Sequence, residues 1–493
     1  MKTKKNGISL IVLVITIIIM IILASTIILN LSGINIIERV RNAIKEHNRK
    51  QIETLAQTIV AKGYASNKTE ASIKEQIVKE IGKDKTDDFN IVVTNTGLIV
   101  ESFPEGWENS VSEVINGVPI PKGFVISPYR GENKINEGIV IYALSEEEID
   151  QGVYDITKKD EDYQYSLENR NQFVWVPVDR ENFKTQFVRD RFEYDIDARW
   201  GTSGLNDNWY SNILGTANEK DGYFWEVELD NENMPKSSQS NMNFMSGDTL
   251  KEVKALYESV KEYGGFYIGR YEAGGTIVDE ITKFGRGKLS ITMGKYPYNG
   301  IEWAQLNNMN LDKGGVVQFS REIYPVTNIK YGAASTLTYG VQWDRTVAWM
   351  KNIKGEEFDL LDSTECGNYE NTELSKEMFN ENSKYISAIF NQENTTQGYF
   401  DLETWKNTMD FTAIDEEYIV TTGAMKDANI CNIYDMAGNM YEWTMEGDLT
   451  HGRVLRGGHF NSDGRYVSII SRFDNYPTYV YACTGFRPSL YIK

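Results

Sequence analysis

Cysteine and histidine are both scarce in this chain of 493 residues. Its three cysteines are Cys366, Cys431 and Cys483, and no two of them form a Cys-x-x-Cys pair. This small number of cysteines excludes a disulfide framework, and their spacing argues against a zinc site built from thiolates. Only three histidines are present, so any site that needs several imidazoles is excluded as well.

Positive charge is also in deficit, because the formal net charge is −20 at pH 7. An acidic surface repels nucleic acid and anionic lipid, so neither is expected as a partner of the soluble part. The excess of carboxylates is interpreted as a solvated surface, with cation binding as the alternative. A hydrophobic content of 41% and an aromatic content of 12% indicate a folded protein.

Charge is absent altogether between Lys5 and Glu38, and Ile8–Leu31 is almost wholly apolar. A helix of this length rises by roughly 36 Å at 1.5 Å per residue, which is enough to cross a bilayer. We therefore predict a transmembrane helix here, with a cleaved secretory signal as the alternative.

The residues Lys4-Lys5-Asn6-Gly7-Ile8 resemble the leaders of prepilins, in which cleavage follows the glycine and the apolar helix remains. Pilins usually carry Glu at the fifth mature position, and here Val12 stands there. The resemblance therefore implies a membrane anchor with the C-terminal domain outside the cell, and a minor pilin subunit is the alternative. Basic residues flank the apolar segment on both sides, so charge alone does not decide its orientation.

The chain after residues 1–32 is predicted to begin with a stalk over residues 33–102. Apolar residues at helical spacing predict one helix over Ile37–Ala61 and a second that ends at Gly82. Two short β-branched runs around Asn95-Thr96-Gly97 predict a hairpin. Residues 103–121 contain three prolines and two glycines and are predicted as a linker.

Residues 122–493 are predicted to form one α+β domain with many short strands and a few helices. Phe173–Val178 alternates two aromatic residues with three valines, which is typical of a strand that is buried on both faces or lies at an edge. Residues 180–245 and 355–415 are rich in Asn, Asp and Glu, and we predict that they are surface insertions.

Three blocks near the C-terminus carry a family resemblance. They are Tyr434–Trp443 with the sequence YDMAGNMYEW, Arg453–Gly458 with RVLRGG, and Gly485–Pro488 with GFRP. In this order they resemble the formylglycine-generating enzyme, or sulfatase-modifying factor, family. The resemblance extends over roughly Pro119–Lys493 and implies a fold related to C-type lectins. A fold alone does not determine chemistry.

The first block also suggests a cation site. Two carboxylates seven positions apart, with a glycine turn between them, suit a hard cation that prefers oxygen ligands. The resemblance implies calcium bound by side-chain oxygens of Asp435 and Glu442 and main-chain oxygens of Gly438 and Met440. The alternative is that the two carboxylates hold the turn by hydrogen bonds to backbone amides.

The sequence does not match the catalytic centre of the family. The resemblance implies a copper ion held by two cysteines between the second and third blocks, because copper of this kind requires soft thiolates. Gly458–Ala482 contains no cysteine, and Ser462 stands at the first expected position. We therefore expect no copper and no catalytic residues. An oxidoreductase with altered ligands, such as non-haem iron near His451 and His459, is the alternative.

The composition of the C-terminal tail, residues 454–492, suggests a function other than catalysis. Val454–Ile492 contains no Lys, Glu, Gln, Met or Trp. The residues between Gly458 and Thr484 are mostly those reached by changing the adenines of Asn codons. This pattern resembles the variable proteins of diversity-generating retroelements. The candidate ligand-binding positions are His459, Asn461, Asp463, Ser468, Phe473, Asp474, Tyr476, Tyr479, Tyr481 and Cys483.

These residue types would suit a binding surface. Tyrosine offers a large and stiff contact area, while Ser, Asn and Asp offer adaptable hydrogen bonds. The sequence therefore predicts a membrane-anchored, non-catalytic, adhesin-like protein that presents a tyrosine-rich surface to a protein or glycan ligand. An ordinary β-rich loop region with the same composition is the alternative.

Overall fold

The computed structural model describes most of the chain after residue 33 as two compact units, one up to Phe103 and one from Pro104 to Lys493. Within the described part, no helix combines the length and apolarity needed to span a bilayer. The predicted membrane segment Ile8–Leu31 lies outside that part. The residues not described are 1–33, 69, 87–88, 95–96, 105, 130, 153–165, 168, 188–228, 233, 236–246, 277–285, 305–313, 373–377, 380–385, 390–398, 402–417, 448–451 and 482.

The first unit packs two helices on a hairpin. Ile52, Ala56 and Ile59 form a buried stripe on the long helix and meet Ile73 and Ile77 of the second helix. The predicted helices and hairpin are confirmed. The elements are α1 (Ile34–Ala65), α2 (Glu70–Ile81), α3 (Lys83–Thr86), β1 (Phe89–Thr94) and β2 (Gly97–Ser102).

The second unit contains five helices and twenty strands among its described residues. Its helices are α4 (Glu146–Gln151), α5 (Phe183–Gln186), α6 (Gly247–Tyr263), α7 (Gly315–Ile323) and α8 (Gly340–Lys354). Its strands are β3 (Val111–Ile115), β4 (Val118–Pro121), β5 (Phe124–Ile126), β6 (Val140–Ala143), β7 (Gln172–Pro177), β8 (Gly265–Gly269), β9 (Gly274–Thr276), β10 (Arg286–Ser290), β11 (Tyr296–Pro297), β12 (Ala333–Leu337), β13 (Ile386–Ile389), β14 (Tyr399–Asp401), β15 (Tyr418–Ile419), β16 (Asn429–Ile430), β17 (Ile433–Tyr434), β18 (Tyr441–Gly447), β19 (Arg453–Arg456), β20 (Arg472–Asn475), β21 (Thr484–Phe486) and β22 (Pro488–Ile492). The mixed α+β composition with many short strands is as predicted.

A six-stranded antiparallel sheet forms the centre of this unit, in the order β12-β22-β8-β7-β6-β5. The predicted strand at Phe173 is the interior strand β7, in which Phe173, Val174 and Val176 are fully buried. Pro177 is the last residue of β7, where its missing N–H removes little of the hydrogen bonding between strands. The C-terminal strand β22 lies between β12 and β8, so the end of the chain is part of the core.

Residues 104–121 differ from the predicted linker. They contain a 3₁₀ turn at Trp107–Asn109 and the hairpin β3–β4. Asn116 and Gly117 adopt positive φ and allow the tight turn of the hairpin. Both strands of this two-stranded sheet are edge strands, where proline is tolerated. Trp107 is buried against Tyr263, with ring centroids 4.8 Å apart.

A four-stranded sheet in the order β20-β19-β18-β21 carries the candidate site. β18 and β21 run parallel, and the other pairs are antiparallel. Two loops arise from its edge strand β20. The connecting loop, residues 457–471, joins β19 to β20, and the crossing loop, residues 476–483, joins β20 to β21 at the opposite edge.

The connecting loop rests on a segment that was predicted to be a surface insertion. Within this segment, residues 363–372, Ser363, Asn368 and Tyr369 are buried. The Tyr369 hydroxyl donates to Gly457 O at 2.6 Å. Apolar content is low here, so the sequence pattern indicated exposure, but main-chain pairing with the loop buries the segment.

Candidate functional site

The turn between β17 and β18 brings the first group of candidate residues together. Asp435, Gly438 and Asn439 all have positive φ, so the chain reverses within a few residues. A Cβ at Gly438 would lie 2.3 Å from Asn368 O, which only glycine avoids. Trp443 follows in β18 and is fully buried.

Three buried carboxylates surround this turn. The Gly423 amide donates to Asp435 Oδ2 at 2.7 Å. Glu442 accepts from Arg487 through both oxygens, with Arg487 Nε at 3.0 and 3.1 Å. The third carboxylate, Glu272, accepts from the Met440 amide at 3.2 Å and from the Asn439 side chain. Asp435, Glu442 and Glu272 therefore all hold the turn or the strand that follows it.

The electrostatics of this group favour a bound cation or a proton. Burial raises the pKa of Asp435 to about 6 and the pKa of Glu442 to about 7, although Arg487 opposes both shifts. Burial also raises the pKa of Glu272, and the charges of Asp435 and Glu442 raise it further. Three carboxylates face one guanidinium, so negative charge is in excess when all are ionised.

Asp435 and Glu442 carry carboxylate oxygens, the ligand type that calcium prefers. Each carboxylate oxygen has two lone pairs, so Asp435 and Glu442 keep acceptor capacity beyond their hydrogen bonds. Within the described ranges, no group of three or more His, Cys, Asp or Glu is arranged to hold a metal ion. Main-chain oxygens of Gly438 and Met440 would therefore have to complete the ligand set. The predicted alternative, in which the carboxylates hold the turn, is compatible with the same contacts.

His459 belongs to an aromatic cluster with Tyr441 and Phe473. The His459 and Tyr441 ring centroids are 4.7 Å apart, and Tyr441 stacks on Phe473 at 5.6 Å. The Asn461 amide donates to His459 Nδ1 at 3.1 Å, so this nitrogen acts as an acceptor in the neutral ring. Burial lowers the pKa of His459 to about 4. The other histidine of the predicted iron alternative, His451, lies outside the described residues.

The cysteines are free thiols without a reactive setting. Burial raises the pKa of Cys366 to about 12 and the pKa of Cys431 to about 11, and it raises the pKa of Cys483 further. All three therefore stay protonated near neutral pH, whereas nucleophiles and soft-metal ligands are thiolates. Ser462, at the first expected copper position, is buried, and its main-chain oxygen accepts from Glu370 N.

The candidate positions of the tail differ in exposure. Tyr476 is 70% exposed and Tyr481 is 41% exposed. Ser468 and Cys483 are buried, so their side chains cannot reach a ligand and do not belong to the predicted surface. Asp474 lies in β20, and its side chain is outside the described set. The partly buried candidates are His459, Asn461, Asp463, Phe473 and Tyr479.

Asp463 has an internal role in the connecting loop. Its carboxylate accepts from Asn371 Nδ2 at 3.0 Å and from the Arg465 amide at 2.9 Å. The Gly464 amide donates to the Asn371 side chain at 2.9 Å. These contacts join the loop to the supporting segment 363–372, and the Asp463 carboxylate also accepts from Arg465 Nε through both oxygens, so Asp463 stabilises the loop.

The crossing loop presents its side chains on a main-chain frame. The Tyr479 amide donates to Tyr476 O, and the Trp303 amide donates to Pro477 O, both at 2.8 Å. The Thr484 amide donates to Tyr481 O at 3.1 Å. Within the loop these bonds use main-chain atoms, which are the same whatever side chain each position carries.

The exposed side chains of the crossing loop are large and uncharged. Tyr479 and Tyr481 stack with ring centroids 5.8 Å apart, and Val480 between them is 50% exposed. No charged residue occurs between Asn475 and Phe486. We call Tyr476, Tyr479, Val480 and Tyr481 the aromatic face.

Sequence reasoning missed three residues of this region. Composition singles out tyrosine and not Val480, although the position of Val480 between Tyr479 and Tyr481 is a usable signal. Tyr441 precedes Glu442 in the first block, and its place at the start of a strand gave no sign of contact with His459. Glu272 lies about 160 residues before the turn it holds, and no sequence pattern connects the two.

Comparison with known proteins supports the family resemblance of the C-terminal region. Residues 375–489 match the Sulfatase-modifying factor enzyme 1-like domain. This range includes the turn, the connecting loop and the crossing loop, and it is narrower than the predicted extent of the resemblance. No curated protein matches the chain significantly.

One solved structure that is similar to the chain is Treponema denticola variable protein 1. The identity is 14%, and the alignment covers 46% of this chain and 84% of that chain with a TM-score of 0.24. A likeness at this level carries no argument of its own. The family match shows that residues 375–489 are similar to the sulfatase-modifying factor domain, as the sequence blocks predicted.

Proposed function

We propose that this chain, with its sulfatase-modifying-factor-type region at residues 375–489, is a non-catalytic ligand-binding protein of the cell surface. Its binding surface is the aromatic face, flanked by the cluster of Tyr441, His459 and Phe473. The ligand is a protein or a glycan, as for an adhesin. Positions in the tail differ between copies of the gene, as in variable proteins of diversity-generating retroelements.

The observation that supports this proposal most is the exposure of the aromatic face. Tyr476, Val480 and Tyr481 are three of the exposed large apolar residues in the second unit, and they lie within six positions of one another. Tyr479 and Tyr481 also stack on each other, and grouped exposed apolar side chains mark interaction sites. Tyrosine is also the residue type that contributes most often to binding hot spots, together with Trp and Arg.

The main-chain frame of the crossing loop supports the same function. A loop that is ordered before binding loses little conformational entropy when the ligand arrives, which increases affinity. The hydrogen bonds at Tyr476, Pro477 and Tyr481 do not depend on side-chain identity. The side chains can therefore differ between copies while the loop keeps its shape.

The thiols favour binding over redox catalysis. Gly458–Ala482 contains no cysteine, and the Cys483 thiol that follows is buried and protonated. A copper centre of the family type needs two accessible thiolates at this place.

Calcium at the Asp435–Glu442 turn is part of the proposal. An ion bound there by Asp435, Glu442 and the main-chain oxygens of Gly438 and Met440 would neutralise the excess charge shared with Glu272. Its contribution would be structural, because it would fix the start of β18 next to the end of the crossing loop. The Tyr441 amide donates to Cys483 O at 2.8 Å, which connects the two elements.

Anchoring through residues 8–31 completes the proposal. The apolar segment would hold the protein in the membrane as a single pass. The prepilin-like leader supports an outward-facing C-terminal domain.

The proposal is tested by identifying a ligand and then removing one ring. The full-length chain in detergent is screened against panels of surface proteins and of glycans. For a ligand found in this way, Tyr481→Ala is expected to increase the Kd by about tenfold. Ile329→Ala is the matched control, because Ile329 is 93% exposed but lies outside the aromatic face. Equal effects of the two substitutions would contradict the proposal.

A further inference from the structure

At the edge strand β20, from which the two loops arise, lies a closed ring of four buried charged residues. Arg456 donates to Asp344 Oδ1 at 2.6 Å and to Glu446 Oε2 at 3.1 Å. Arg472 donates to Glu446 Oε1 at 3.0 Å and to Asp344 Oδ2. Asp344, Glu446 and Arg456 are fully buried, and Arg472 is 4% exposed. Two positive and two negative charges balance within the ring.

The ring joins four elements of the second unit. Asp344 belongs to α8, Glu446 to β18, Arg456 to β19 and Arg472 to the edge strand β20. Arg456 and Arg472 are directly opposite each other in the β19–β20 register. Like charges in that position destabilise a strand pair. Asp344 and Glu446 offset this repulsion, because each of them pairs with both arginines. They thereby attach the edge strand β20 to the rest of the unit.

Further contacts extend this attachment to the connecting loop. Arg456 Nε donates to Ser471 O at 3.1 Å, and Trp343 Nε1 donates to Ile469 O at 3.0 Å. The Arg456 guanidinium also lies over the Trp343 ring, 5.5 Å from its centroid. The residues that lead into β20 are thus held through their main-chain oxygens.

We propose that Asp344, Glu446, Arg456 and Arg472 fix the position of β20 and of the crossing loop that follows it, independently of the side chains that the loop carries. Arg472 is a positioning residue, since it lies in the strand that leads into the loop and is buried. The inference rests on the proposed function only in calling this loop a binding surface. The inference is that the ring charges fix the strand from which the loop starts, without a contribution from loop side chains.

The energetics of buried ion pairs determine which variants are informative. Removing one partner leaves an uncompensated buried charge and is strongly destabilising, whereas removing a balanced pair is far less so. Arg472→Met alone leaves two carboxylates facing Arg456, and this variant can fail to fold. The double variant Arg472→Met/Glu446→Gln leaves the balanced Arg456–Asp344 pair, so it isolates positioning from charge balance.

The test uses hydrogen exchange and thiol alkylation of the full-length chain, with peptides identified by mass. In the double variant we expect amide exchange over residues 469–483 to increase by about tenfold, because local opening becomes easier. Alkylation of the buried Cys483 by iodoacetamide should increase by a similar factor. Exchange in β7 and β8 of the central sheet should stay unchanged. Lys330→Met, which removes the exposed Lys330–Asp150 pair of the same unit, should behave as wild type.

Two results would overturn the inference. One is unchanged exchange over residues 469–483 in the double variant. The other is an equal increase in β7 and β8, which would mean that the ring only supports the whole unit. Neither readout requires a ligand. Loss of ligand binding without loosening of residues 469–483 would therefore overturn this inference and leave the proposed function intact.

Discussion

Protonation of His459 should destabilise the second unit at acidic pH. The imidazole is partly buried beside Tyr441, and its Nδ1 accepts from the Asn461 amide. Burial lowers its pKa to about 4 in the folded state, against about 6.5 in an unfolded chain. The unfolded state therefore binds the proton first, and stability falls as the pH drops from about 6.5 towards 4.

The size of this effect follows from the two pKa values. At about pH 4.5 the difference corresponds to about 2.5 kcal/mol of lost stability relative to about pH 7.5. Because the ring keeps some exposure to solvent, this value is an upper limit. Asp435 and Glu442 have raised pKa values, so their contribution has the opposite sign and decreases as the pH rises. A comparison with a variant is therefore needed to isolate the imidazole.

His459→Asn removes the titrating group and retains an acceptor for the Asn461 amide. Urea unfolding of both proteins is followed by tryptophan fluorescence, which reports the second unit because all ten tryptophans lie after residue 104. The wild type should lose about 2 kcal/mol more than His459→Asn between about pH 7.5 and 4.5. Equal losses in the two proteins would refute the reasoning, because they would show that His459 titrates normally in the folded state.

Three further predictions concern calcium, the anchor and the core. Calcium at a hundredfold excess over its Kd should stabilise the wild type by about 2.7 kcal/mol and leave Asp435→Asn unchanged in thermal melts; a wild type that does not respond would contradict the site. The full chain should sediment with membranes and a chain lacking residues 1–32 should not, so recovery of the full chain in the soluble fraction would contradict the anchor. Trp443→Ala should cost about 3–5 kcal/mol in urea unfolding and Tyr476→Ala less than about 1 kcal/mol, because Tyr476 is 70% exposed; similar costs would place Tyr476 in the core.

Local features of the fold could be predicted from the sequence because they depend on short-range patterns. The apolar stripe of α1 and the two β-branched runs of the first hairpin are both patterns that extend over a few residues. The strand at Phe173 was recognised from its alternation of aromatic residues and valines. The predicted linker at residues 103–121 is wrong, because residues 111–121 form a hairpin around Asn116-Gly117.

The candidate site was only partly predictable, for a different physical reason. Composition identified which residue types are common in the tail, but not which of them face solvent. Ser468 and Tyr476 belong to the same compositional set, yet the first is fully buried and the second is exposed. The loops have no periodicity from which a face could be inferred. Likewise, Asp344 and Arg472 are 128 positions apart, so their ion pair depends on the tertiary fold alone.

The most direct test of the account is a paired measurement of affinity and stability for one variant. Tyr476→Ser/Tyr479→Ser/Tyr481→Ser removes all three rings of the aromatic face and adds no charge. The account predicts that binding to an identified ligand weakens by at least about a hundredfold, while the melting temperature stays within about 3 °C of the wild type. Retained binding, or a melting temperature that falls together with affinity, would contradict it.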